Sequence, residues 1–237
     1  KYVEAINDLI RKEVSTRENI VLFGQNISAG SSLGGLTKGL TVKPTSRVLN
    51  TQNSENTMMG VGFGLMLNNV SSIFFLKQLD FALLGMDQIV NTNNYVKTKS
   101  QTASFTIMAI IVDSGYQGIQ SSYNGFGDIC ALAQIPGFLI NSSADAKTII
   151  SEEMFRPGLK MIGVSQRLFN IEFSESVTIQ KAGKNNDVFE YASGKDITIV
   201  CFNLSLSYGL EIQKAVERRD RTASVYTVNC VDPVDWS

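Results

Sequence analysis

Short, uninterrupted apolar runs set at helix-length intervals constrain this chain more than any other feature. They are Ile20-Val21-Leu22-Phe23, Ile73-Phe74-Phe75-Leu76, residues 105–112 (apolar except for Thr106), Phe138-Leu139-Ile140 and Met161-Ile162-Gly163-Val164. A strand with no polar alternate is a strand covered on both faces, which is the habit of parallel sheets flanked by helices. The intervening segments carry helical spacing. Tyr2, Ala5, Ile6, Leu9, Ile10 and Val14 recur so as to predict an amphipathic helix over 2–15. Further helices are expected over about 56–68, 81–94, 127–134 and 144–155. Between the first strand and the next helix, Gly30, Gly34, Gly35 and Gly39 with several serines read as a loop. Strand and helix in alternation predict an α/β fold, a doubly wound parallel sheet with helices on both faces.

The pattern changes past residue 173. Residues 174–195 are polar and rich in Lys, Asn and Gly without sustained period, as expected of a linker. A strand at 197–202, a helix near 205–219 and a strand at 223–226 then repeat the theme. The expected organisation is a first domain over 1–173, a linker over 174–195 and a partial α/β domain over 196–237.

Composition excludes whole classes of chemistry. The 237 residues include no histidine, so the chain cannot supply a Ser-His-Asp triad, a Cys-His pair or an imidazole proton shuttle. A net charge of −1 gives no support for a nucleic-acid or anionic-membrane surface. Cys130, Cys201 and Cys230 are widely spaced in apolar stretches with no CxxC, which predicts buried free thiols and no metal site. No apolar run approaches the roughly 20 residues of a membrane helix, and no charged-then-apolar segment opens the chain. A cytoplasmic protein is expected.

The glycine-rich segments do not make a nucleotide site. Gly60-Val61-Gly62-Phe63-Gly64 has Leu65 where a dinucleotide fingerprint needs its third glycine, and no Gly-Lys-Ser/Thr follows. Glycines at this spacing are expected to let a helix pack closely. Glu55, in Asn53-Ser54-Glu55-Asn56-Thr57-Met58-Met59, lies at a loop-to-helix junction. A carboxylate there either caps the helix, satisfying orphan N–H groups, or faces an apolar pocket and carries acid–base chemistry.

An ordered set of short motifs resembles a known family. It comprises Tyr2-Val3-Glu4-Ala5-Ile6, Gly24-Gln25-Asn26, Gly34-Gly35-Leu36-Thr37-Lys38-Gly39-Leu40, Arg47-Val48, Ser54-Glu55 and the Gly60, Gly62, Gly64 series. Asp80-Phe81-Ala82, Asp87-Gln88-Ile89-Val90-Asn91 and Ile135-Pro136-Gly137 continue it. The chain resembles the beta subunit of the thiamine-diphosphate-dependent first component of 2-oxoacid dehydrogenase complexes and, more broadly, the pyrimidine-binding domain of the transketolase superfamily. The likeness runs to about residue 165. It resumes at Gly194-Lys195-Asp196-Ile197-Thr198-Ile199-Val200 and at Val231-Asp232-Pro233-Val234-Asp235, where it resembles the start of the family's C-terminal α/β domain.

The resemblance implies roles. Glu55 would hydrogen-bond the N1′ atom of the cofactor's aminopyrimidine, and Phe81 would stack on that ring. Lys77 falls where the family places an uncharged residue beside the cofactor. It reads either as an exposed strand-end lysine or as a contact for an acidic or phosphorylated substrate. Asn53 and Met59 would be secondary lining. Where the family has Gln-His-Ser, this chain has Gln120-Ser121-Ser122, so Gln120 and Ser121 are the substrate-side candidates and the family's histidine is missing. The Gly-Asp-Gly that holds the diphosphate and its magnesium is also absent, which implies an alpha-type partner carrying that half. An α2β2 heterotetramer with a beta–beta contact is expected, with Met58, Met59 and Met66 contributing to an apolar interface. The implied function is that of a beta-type subunit in 2-oxoacid decarboxylation. The alternatives are transketolase-like two-carbon transfer or carboligation, and a non-catalytic interaction homodimer.

Overall fold

A computed structural model describes residues 1–99, 101–115, 123–172, 179–182 and 187–232. The apolar runs become the central strands of one sheet: β1 (Ile20–Gly24), β3 (Ser71–Leu76), β4 (Ser104–Ile111), β5 (Gly137–Ile140) and β6 (Gly158–Ser165). All pair in parallel, and every residue of β4 is buried. β2 (Arg47–Asn50) adds in parallel to β1, and β11 (Cys230–Asp232) adds antiparallel to β5. The seven strands run in the order β11-β5-β6-β4-β3-β1-β2.

Two apolar layers sandwich the sheet. On one side α1 (Tyr2–Thr16) and α5 (Ser143–Glu153) pack Ile6, Ile10, Val14, Ile149 and Ile150 against Leu22, Ile73 and Ile162. On the other, α2 (Glu55–Leu67) and α4 (Phe126–Ala133) bring Met59, Phe63, Ile129 and Cys130 onto Phe74, Phe105 and Ile107. A fully buried side chain of this kind contributes about 1.5–3 kcal/mol. The sheet is doubly wound, as its apolar runs require.

A second sheet, in the order β7-β8-β10-β9, is built from β7 (Gln180–Lys181), β8 (Val188–Ala192), β9 (Ile197–Phe202) and β10 (Ala223–Val228), with α6 (Leu206–Glu217) packed on it. β7 and β8 lie in the stretch expected to be a linker. β8 alternates with Phe189 and Tyr191 inward and its other residues half-buried, a period too short to stand out from a polar setting. The C-terminal strand β11 then crosses back to the first sheet.

Three other expectations need correction. The helix expected over 81–94 is a 3-10 segment Leu79–Gly85, a π turn Gln88–Thr92 and a short α3 (Asn93–Val96). A Cβ on Gly85 would come within 2.6 Å of Met59 Cγ, so the chain passes too near α2 for a bulkier residue at this position. Of the α2 glycines only Gly62 packs inward, against the Phe105 ring, whereas Gly64 has nothing within 4 Å. Met59 and Met66 fill the chain's own core and cannot form an interface, while Met58 is half-buried. The three cysteines are buried, as expected. No helix among the described residues is long and apolar enough to cross a membrane.

Candidate functional site

In an open parallel sheet the loops at the carboxyl ends of the strands form the ligand-binding edge. Here that edge carries the residues following β1, β3, β4 and β6, together with the N-terminus of α2, which follows the loop leaving β2. Glu55 is the first residue of α2. It is 8% exposed, and its side chain accepts no hydrogen bond from any described residue. Ser54, at the N-cap, turns its hydroxyl to Thr57 Oγ1 at 2.8 Å and makes no cap bond. The capping reading of Glu55 therefore lacks its hydrogen bond. What remains is a carboxylate on a largely buried residue with no donor among the described residues, open to a ligand that can supply one.

The wall beside Glu55 is apolar. The 3-10 segment bearing Phe81 leans on the first turn of α2, such that a Cβ on Gly85 would meet the Glu55 carbonyl oxygen at 3.5 Å. Phe81 is half-buried and packs against the same cluster as Met58, Met86 and Val90. Next to it, burial holds the Asp80 carboxyl above the usual carboxylate range. An acceptor lacking a donor beside an aromatic face fits a flat, hydrogen-bonding ring such as an aminopyrimidine.

Among the other residues singled out in the sequence, Met59 lies one turn along from Glu55 and is fully buried, which removes it from direct ligand contact. Asn53 is exposed in the loop before α2. Lys77, exposed just past β3, lines a separate cavity of about 270 Å³ at the same sheet edge. Gln120 and Ser121 lie outside the described residues.

That crest cavity adds residues to which the sequence assigned no role. Asn26 follows β1, Gln78 follows Lys77 and Gln166 follows β6, with Ile110 and Phe169 as apolar wall. Gly34, at φ +68°, comes so near the Phe169 ring that a Cβ would sit 3.1 Å from it. Its left-handed backbone and this contact both call for glycine. The signal available for Asn26 and Gln166 was their place within three residues of apolar runs, and for Asn26 also the Gly24-Gln25-Asn26 motif. Its described lining mixes these apolar walls with amide groups and the Lys77 ammonium, which suits a small anionic molecule.

A family model described as the transketolase pyrimidine-binding domain matches residues 1–151. The mitochondrial pyruvate dehydrogenase E1 component subunit beta of Pisum sativum is 22% identical over 247 residues, spanning 98% of this chain and 67% of that protein. The pyruvate dehydrogenase E1 component subunit beta of Rhizobium meliloti is 22% identical over 239 residues, spanning 98% of this chain and 51% of that protein. Among solved structures, a split-gene transketolase described as an inactive beta4 tetramer superposes with a TM-score of 0.71 at 19% identity, covering 94% of this chain and 69% of that one. The chain thus spans about half to two thirds of the length of these two curated relatives.

Proposed function

Since the chain belongs to the transketolase pyrimidine-binding domain family, with residues 1–151 matched, we propose that it is the beta-type half of a two-chain thiamine-diphosphate enzyme acting on a 2-oxoacid. The observation that carries this reading is Glu55, a carboxylate 8% exposed and without a hydrogen-bond donor at the ligand-binding edge. Bound there, thiamine diphosphate supplies a carbon nucleophile for the carbonyl group of the substrate. Glu55 would hold the proton shared with N1′ of the aminopyrimidine. Phe81 covers the ring's face and keeps it oriented. Lys77, with Asn26 and Gln166 nearby in the crest cavity, receives the acidic end of the substrate. Gln120 and Ser121 are assigned to the substrate side on the motif alone.

We assign the diphosphate and its Mg²⁺ to an alpha-type partner, because the sequence has no Gly-Asp-Gly. An exposed apolar surface supports a partner on this side. Val61 on α2, and Leu83 and Leu84 on the adjoining 3-10 segment, are 42%, 49% and 64% exposed. Gly64 leaves open space on α2. The similar split-gene transketolase chain is described as an inactive tetramer of beta chains, which supports both self-association and the need for a second chain type.

Lys77 favours one further reading, two-carbon transfer from a phosphorylated ketose. Capturing the tagged chain from its own source extract, then assaying with and without thiamine diphosphate and Mg²⁺, separates the possibilities. A stoichiometric partner carrying Gly-Asp-Gly, with cofactor-dependent consumption of 2-oxoacids, supports the proposal. Cofactor-dependent turnover of ketose phosphates alone selects the second reading. A homo-oligomer with no partner and no cofactor response overturns both in favour of a non-catalytic module.

A further inference from the structure

A cavity of about 370 Å³ opens between the two sheets and shares no residue with the Glu55 region or the crest cavity. Ile111, Phe126 and Leu139 come from the first sheet and its helix α4. Phe202 and Leu204 come from the end of β9 and the turn into α6. These five side chains give the cavity apolar walls on two sides. Among the described residues lining it, Arg167, which follows β6, is the cation and Asp113 the carboxylate, with Asn124, Asn203, Ser205 and Tyr208 as further polar lining.

The guanidinium is held from several directions. Its Nη2 donates to the Leu204 carbonyl at 2.8 Å, Nη1 donates to Ser207 Oγ at 3.2 Å, and Nε faces Asp113 Oδ2 at 3.5 Å. Its carbon lies 5.3 Å from the centre of the Tyr208 ring. Asp113 is itself engaged, accepting from Ser165 Oγ at 2.6 Å and from the Arg167 backbone N–H at 3.0 Å. A guanidinium has five N–H donors in a fixed plane. The bonds named leave one N–H on each terminal nitrogen, donors open to a carboxylate.

We propose that this cleft binds a small aromatic or branched carboxylic acid, with its carboxylate on Arg167 and its apolar body against Phe126, Leu139 and Phe202. Acetate would leave those walls empty. Because the cleft joins the strand ends of the first sheet to the start of α6, its occupant touches both sheets at once. The assignment goes beyond the proposed cofactor site and stands without it.

Phenylacetate is the probe, titrated against the intact chain by calorimetry, with 2-phenylethanol as the uncharged analogue. The account expects saturable phenylacetate binding, weakened at least about tenfold by Arg167→Met, the loss of a charge-assisted contact. Phe202→Ala should weaken it several-fold, and 2-phenylethanol should bind wild type and Arg167→Met alike. Arg167 also ties β6 to α6, so Arg167→Met is judged only if its melting curve matches wild type. The Phe202→Ala test stands either way, because Phe202 is 52% exposed. Absence of saturable binding by the folded wild type overturns the proposal. So does unchanged affinity in folded variants, or equal affinity for the uncharged analogue.

Discussion

The side-chain amide of Asn229 donates to the carboxylate of Asp145 at 2.7 Å, joining the segment between β10 and β11 to the first turn of α5. Asp145 also accepts from the Tyr191 hydroxyl on β8 at 3.0 Å, and from the backbone N–H groups of Asn141 and Ser142 at 3.1 and 3.0 Å. The two sheets are thus pinned to each other through one buried carboxylate, with no cation among its hydrogen-bond partners.

Burial pushes the Asp145 carboxyl up to about 6, against an ordinary value of 3.8, despite the bonds that favour its charged form. The folded state therefore keeps a proton that the unfolded chain has already lost between those values. Its contribution to stability is fully present below about pH 4 and is lost as pH rises through 6, by on the order of 3 kcal/mol. Asp145→Asn cannot titrate. The stability difference between wild type and Asp145→Asn, measured by urea unfolding from pH 4 to 7, should move against wild type by that order. A pH-independent difference would show that the hydrogen bonds outweigh burial.

The α2 glycines divide into an inward and an outward position. Gly62→Ala places a methyl group against the Phe105 ring, and should destabilise the chain by about 1–3 kcal/mol in thermal unfolding. Gly64→Ala meets nothing and gains helix propensity, so it should be neutral or stabilising by up to about 1 kcal/mol. In the captured assembly Gly64→Ala should lower partner recovery. Undiminished recovery would place the partner on another face.

Lys77 supplies the ammonium of the crest cavity. Lys77→Met should raise KM for an acidic or phosphorylated substrate about tenfold, the cost of one hydrogen bond to a charged group, with kcat changed less. The same loss on a substrate without that group would show that the lysine acts on folding or assembly and not on recognition.

Legibility in the sequence followed burial. β1, β3, β4, β5 and β6 were readable because both faces are covered and each strand becomes a continuous apolar run. β2 was not, because as an edge strand it carries Arg47 and a 46%-exposed Leu49 and has no apolar run to show. The segment after β3 keeps helix-like apolar spacing, which cannot tell an α-helix from successive 3-10 and π turns. Glu55 could be singled out by its place in the motif order, but spacing left capping open until the side chain was seen to make no bond. Arg167 gave no signal, because its partners Asp113, Leu204 and Ser207 lie 37 to 54 residues away.

The most direct test is turnover of the captured two-chain assembly carrying Glu55→Gln, at saturating thiamine diphosphate and Mg²⁺. The side chain keeps its size but no longer carries the carboxylate needed to hold the ring proton. Positioned acid–base groups contribute about 10²–10⁴ in rate. The account predicts a fall in kcat of at least about a hundredfold, with the melting temperature and partner stoichiometry unchanged. A Glu55→Gln assembly turning over near the wild-type rate would contradict it.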